Sequence, residues 1–173
     1  MDTATRNYIN SLAQNIINFY NITIPITNIE SVVKLIGGEI EEKFNFDDMC
    51  DGSISKYGIN SFRIIISPYQ NNERKSFTIA HELGHLFLHM GYMTNDSVWQ
   101  TQYQAVYRRF GATEQEYQAN EFAAALLMPI NNYRQIIDKY SIGNQVNIAE
   151  VAKYFKVSIS AATNRGRFLG YLA

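Results

Sequence analysis

The pattern of apolar and polar positions changes along the chain from helical to extended and back to helical. Apolar residues at helical spacing predict an amphipathic helix over residues 9–20. A second helix is expected after Thr27, whose hydroxyl would cap it, and the Gly37-Gly38 pair would end it. The first part of the chain is therefore predicted to be two short helices.

The next segment has the pattern of β-strands. Glu39–Phe46 alternates apolar and polar residues, and Ser53–Tyr57 follows a turn signal. Phe62–Ser67 is rich in β-branched residues and is stopped by Pro68, which predicts a buried strand. We expect a small antiparallel sheet of about three strands, in which the last strand could also pair with an extended substrate segment.

The rest of the chain is predicted to be helical, apart from a long connection over residues 91–113. The expected helices are Arg74–Met90, Glu114–Met128, Ile130–Tyr140, Ile148–Phe155 and Ser158–Phe168. Helices grouped around one small sheet indicate the α+β class. We expect a main domain over residues 1–140 and a helical appendage over residues 141–173 packed on it.

One helix carries a metal-binding pattern, His81-Glu82-Leu83-Gly84-His85. Residues four apart differ by only about 40° around a helix, so both imidazoles can reach one ion. Glu82 is offset by about 100°, which suits a general base rather than a ligand. The pattern would arise by chance only about 0.003 times in a chain of this composition, and its ligands favour Zn²⁺.

A third ligand must come from elsewhere in the sequence. His89 lies on the same stripe, but a rise of about 6 Å per four residues makes three histidines of one helix poor joint ligands. We expect His89 to support a ligand instead. Of the downstream carboxylates Glu116 is favoured, with Asn120 one turn on to orient a histidine, and Glu121 is the alternative.

Two segments together resemble a known family. Residues 78–89, TIAHELGHLFLH, and residues 116–129, EYQANEFAAALLMP, closely resemble the ImmA/IrrE metallopeptidase domain. The resemblance covers residues 62–129 firmly and the rest more loosely. Many members carry glutamate directly before the Ala-Asn pair, where this chain has Gln118.

The resemblance implies a minimal zincin-like fold with a helical C-terminal part. It implies His81, His85 and Glu116 as ligands of one Zn²⁺ per chain and Glu82 as the catalytic base of a gluzincin-like endopeptidase. Members typically cleave helix-turn-helix repressors and so derepress phage, mobile-element or stress genes. A repressor is therefore the expected substrate and partner.

Peptide hydrolysis at such a site needs a proton acceptor and a donor to the oxyanion. Glu82 would accept a proton from the attacking water and pass it to the leaving amine. Tyr103 or Tyr107, in the connection before Glu116, could donate to the oxyanion.

The C-terminal segment has the helix, short turn and helix pattern of a helix-turn-helix. Nearby positive charge comes from Lys153, Lys156, Arg165 and Arg167. A helical pair that packs on the catalytic body is the simpler interpretation. The net charge of −1 also gives no global field for nucleic acid, so direct binding to it is not expected.

The composition adds three expectations. A hydrophobic fraction of 46% supplies a sizeable core, and the single cysteine suits a reducing compartment. The sequence contains neither a signal-peptide pattern nor a run of apolar residues long enough to span a bilayer, so we expect a cytoplasmic protein. The alternative function is a DNA-binding or partner-binding regulator (an anti-repressor or toxin–antitoxin component) with a structural or sensory zinc site.

Overall fold

The computed structural model describes residues 1–43, 51–102, 106–108, 113–143 and 145–172, with the backbone alone for 106–108. Its helices are α1 Thr3–Phe19, α2 Ile29–Ile36, α3 Asn72–Leu88, α4 Asp96–Gln100, α5 Glu114–Leu127, α6 Ile130–Lys139, α7 Ile148–Phe155 and α8 Ile159–Phe168. Its strands are β1 Gly38–Glu42, β2 Gly52–Gly58, β3 Ser61–Ile66, β4 Val106–Arg108, β5 Ser141–Ile142 and β6 Gln145–Val146. Within these residues, no helix has the length and apolar character needed to cross a membrane.

The larger sheet has the strand order β1-β3-β2-β4, and β5 and β6 form a separate small hairpin. The α+β class is confirmed, with two differences from the expected sheet. A fourth strand, β4, comes from the connection predicted over residues 91–113. In addition, β1 runs parallel to β3, because successive strands alternate in direction and β1 pairs with the third strand rather than the second.

The sheet places β3 between β1 and β2, so both of its edges are hydrogen-bonded. The expectation that residues 62–67 pair with a substrate segment is therefore wrong. Within β3, Phe62, Ile64 and Ile66 alternate into the core, as the period of a strand requires. In the described part of the chain, the edges of the larger sheet are β1 and β4.

Helices α3 and α5 pack closely at Gly84. A Cβ atom built on Gly84 would lie 2.9 Å from the Cα of Ala119 and 3.0 Å from its carbonyl oxygen. These are backbone atoms, which cannot rotate away as a flexible side chain could. The missing side chain of Gly84 therefore sets how near α5 comes to the helix that carries His81 and His85.

The C-terminal helix α8 is anchored to the body by a buried arginine. Arg165 Nη1 donates to Glu121 Oε1 over 2.9 Å, and Nη2 donates to Asn10 Oδ1 over 2.7 Å. Arg165 Nε donates to the carbonyl oxygen of Met128. Its side chain is fully buried, so Arg165 is not part of a basic surface and instead joins α8 to α1 and α5.

We expect Gly84→Ala to destabilise the protein, although alanine is more favourable than glycine inside a helix by about 1 kcal/mol. The added methyl group meets the backbone of α5, and overpacking of this kind costs roughly 1–3 kcal/mol. Urea unfolding with a metal chelator present would measure the effect on the fold alone. A variant as stable as the wild type, or more stable, would show that α5 can shift without loss.

Candidate metal centre

Three buried side chains from two helices converge on one point. His81 and His85 come from α3, Glu116 comes from α5, and their exposed fractions are 1%, 2% and 7%. The Nε2 atoms of the two histidines are 3.1 Å apart. Glu116 Oε2 lies 3.2 Å from Nε2 of His81, and Glu116 Oε1 lies 3.2 Å from Nε2 of His85.

Each of the two helices begins with a polar side chain that caps it. Asn71 Oδ1 accepts from the backbone N–H of Arg74 at the start of α3. At the start of α5, Thr113 Oγ1 accepts from the backbone N–H of Glu116 over 3.3 Å. Glu116 is thus the third helical residue, where a capping-box glutamate usually turns back towards the cap. Here its carboxylate points to the histidines instead.

Polar side chains of α5 fix the orientation of both histidines. His81 Nδ1 donates to Asn120 Oδ1 over 2.9 Å, which leaves its Nε2 as the unprotonated nitrogen. His89 Nε2 donates to Gln118 Oε1 over 3.0 Å. His89 Nδ1 can then accept from His85 Nδ1 over 2.9 Å, which leaves Nε2 of His85 unprotonated as well.

The electrostatics of His89 agree with this arrangement. Burial lowers the pKa of His89 below its ordinary value, and the hydrogen bond to Gln118 opposes that change only in part. A neutral imidazole has one nitrogen that donates and one that accepts, as the chain of hydrogen bonds requires. Asn120 and His89 therefore both lie where they support a histidine of the cluster.

The donor set fits a divalent cation. Two unprotonated nitrogens and a carboxylate at 3.1–3.2 Å repel one another unless a positive charge lies between them. An ion that is about 2.0–2.1 Å from each donor in a tetrahedral site would separate the donors by about 3.3 Å, close to the spacing seen. His81, His85 and Glu116 therefore form a buried cluster that could hold a metal ion.

Glu82 lies beside the cluster and is buried, with an exposed fraction of 1%. The start of β2 packs directly against it at Gly52. A Cβ atom on Gly52 would lie 2.7 Å from Cγ2 of Thr78 and 3.0 Å from Oε1 of Glu82. The absence of a side chain at Gly52 thus makes room for the Glu82 carboxylate against the start of β2.

The other carboxylates of α5 have different partners. Glu121, the alternative ligand from the sequence, faces away from the cluster and binds Arg165. Glu114, in the first turn of α5, lies 3.5 Å from the amino group of Met1, and Thr113 is the capping residue.

The two tyrosines considered for the oxyanion lie largely beyond what the structure describes. Tyr103 is outside the described residues. The backbone of Tyr107 lies in β4, where it pairs with Ile54 of β2. The role of either side chain remains a prediction from the sequence.

Comparison with curated proteins and solved structures bears on the fold. None of the curated proteins compared with this chain matches it. A Mycobacterium tuberculosis transcriptional regulator of solved structure is similar over 92% of this chain and 46% of its own, with a TM-score of 0.59 and 15% identity. At that identity the likeness shows the fold alone, and this chain spans about half the length of that protein.

The family itself is shown by a match along the sequence. The sequence model of the IrrE N-terminal-like domain, Peptidase_M78, matches residues 43–166, which is more than half of the chain. That match confirms the resemblance of the two motifs and supports a function of the metallopeptidase type. The chain belongs to the IrrE N-terminal-like peptidase family.

Proposed function

We propose that this protein is a zinc-dependent endopeptidase in which His81, His85 and Glu116 hold one Zn²⁺ and Glu82 is the general base. The observation that carries the proposal is the convergence of two histidine Nε2 atoms and one carboxylate at 3.1–3.2 Å. Nitrogen and carboxylate donors in a set of three suit a catalytic zinc site, which keeps a fourth position open.

When bound, zinc supplies Lewis-acid polarisation and lowers the pKa of a water molecule towards about 7. The Glu82 carboxylate accepts one proton from the attacking water while the water oxygen bonds to the peptide carbonyl carbon. The same carboxyl group then gives that proton to the amide nitrogen as the C–N bond breaks. Because the Glu82 side chain is buried against Gly52, competing solvent is kept from its carboxylate and its orientation is maintained.

We further propose a helix-turn-helix transcriptional repressor as the substrate. Support comes from the resemblance of the two motifs to peptidases of this kind and from membership of the IrrE N-terminal-like family. Cleavage would release the repressed genes, and such a substrate places the reaction in the cytoplasm. The buried position of Arg165 removes one of the four cations that favoured a DNA-binding role for the C-terminal helices.

Glu82→Gln is expected to reduce cleavage at least about a hundredfold, because an amide cannot accept the proton of the attacking water. The measurement is fragment formation on co-expression with helix-turn-helix repressors from the same genome. Glu150→Gln, at an exposed glutamate of α7, is the matched control and should cleave normally. Zinc content should stay near one per chain in both variants, and cleavage that survives Glu82→Gln would disprove the mechanism.

Glu116→Gln is expected to weaken zinc binding by more than about a hundredfold, because it removes the anionic member of the donor set. Competition with a chelator of known affinity would measure the loss. The matched control is Glu114→Gln, two residues earlier in the same helix, where the carboxylate is exposed and should leave zinc binding unchanged. Equal affinities for the two variants would show that another residue supplies the third ligand.

Gln118→Leu is expected to weaken zinc binding about tenfold, because His89 loses the acceptor that orients it towards His85. Gln118→Glu keeps an acceptor oxygen and should retain most of the affinity. Gln115→Leu changes an exposed glutamine of the same helix and serves as the control for the substitution itself. If Gln118→Leu binds zinc as tightly as Gln115→Leu, the hydrogen bonds from Gln118 through His89 do not orient His85.

A further inference from the structure

A cleft of about 1120 Å³ lies between three helices, beside the metal centre. The first half of α3 forms one wall and the outer face of α5 forms the floor. Residues 157–161 at the start of α8, together with Phe168 near its end, form the opposite wall. Small-molecule pockets measure about 300–1,000 Å³, so this cleft has room for several residues of a polypeptide.

Two residues join the cleft to the metal centre. Asn120 lines the cleft and also accepts the hydrogen bond from His81. Thr78 lines it one turn before His81 and contacts the same Gly52 that packs on Glu82. The cleft therefore borders the residues that surround the metal centre, although His81, Glu82, His85 and Glu116 do not line it. A peptide segment in the cleft would lie beside the scissile bond rather than at it.

The walls of the cleft expose large apolar side chains. Tyr117, Ile159 and Phe168 are 53%, 54% and 57% exposed, and each lines the cleft. Phe77 and Val157 add apolar surface from the two opposing walls. Contiguous apolar surface beside a reactive site is typical of a binding surface.

The charges around the cleft are largely neutralised within the protein. Arg74 forms an ion pair with Asp51 on one side, and Arg165 forms one with Glu121 on the other. Arg6 lies 5.0 Å from the ring centroid of Phe168 and 3.7 Å from Glu121. This balance favours an uncharged apolar occupant over an acidic or basic one.

We propose that the cleft binds an apolar segment of the substrate polypeptide adjacent to the scissile bond, and that Ile159 and Phe168 of α8 determine this specificity. The inference rests on the proposed peptidase function and adds the class of sequence that the enzyme selects. It also assigns a role to the start of α8. In a helix-turn-helix, this end of the second helix would contact bases, whereas here it forms a wall of the cleft.

The test uses the zinc-loaded full chain and two peptide hydroxamates, one carrying three leucine residues and the other three alanine residues. Their dissociation constants are measured by calorimetry, so no cleavage is needed. We expect the wild type to bind the leucine compound at least about tenfold more tightly, because the leucine side chains are buried in the cleft. Ile159→Ser with Phe168→Ser should reduce that preference to about twofold or less.

The matched control is Ile142→Ser with Phe19→Ser, which changes one isoleucine and one phenylalanine that are exposed outside the cleft. This control should keep the full preference for leucine. A preference that persists in the α8 variant, or that is absent from the wild type, would overturn the cleft assignment. Acetohydroxamate, which lacks side chains, reports on the metal centre alone, and its failure to bind the wild type would overturn the proposed function as well.

Discussion

The contact between α3 and α5 at Gly84 is the constraint on which the site depends. Backbone atoms of Ala119 lie 2.9–3.0 Å from where the Cβ of any other residue at position 84 would be, so a side chain there would push the two helices apart. At this separation Glu116, at the start of α5, places its two carboxylate oxygens 3.2 Å from the two histidines on α3. Gly84 thus permits the close packing that brings Glu116, the proposed third ligand, to the histidines.

The close packing of α3 and α5 also lets side chains of α5 determine which ring nitrogen of each histidine carries the proton. One helix supplies a carboxylate donor, the acceptor for His81 and, through His89, the acceptor for His85. His81 Nδ1 donates to the amide oxygen of Asn120, and His85 Nδ1 donates to Nδ1 of His89, whose own proton is held on Nε2 by the amide oxygen of Gln118. In their neutral form both histidines therefore carry the proton on Nδ1 and present Nε2 to the cluster. A rotation of α5 would disturb the ligand and both acceptors together, which explains why the packing must be tight.

The sequence predicted what depends on local spacing and missed what depends on distant partners. His81, His85 and Glu82 follow from helical periodicity, and so do most helix limits. The pairing of β1 with β3 depends on contacts between distant strands, which periodicity does not describe. Gln118 was noted only as a departure from the family, since its partner, His89, is 29 residues away. Arg165 looked like a surface charge because its partner, Glu121, is 44 residues away.

The buried ion pair of Arg165 and Glu121 connects a helix of the metal centre to a wall of the cleft. Glu121 belongs to the helix that carries Glu116 and Asn120, and Arg165 belongs to the helix that carries Ile159 and Phe168. Removing one partner of a buried pair leaves an uncompensated charge and costs about 3–5 kcal/mol, so a change at either residue would disturb the contact between the two helices. The pair therefore connects a wall of the cleft to the helix that carries Glu116, so the proposed metal site and the proposed selection of substrate both depend on this contact.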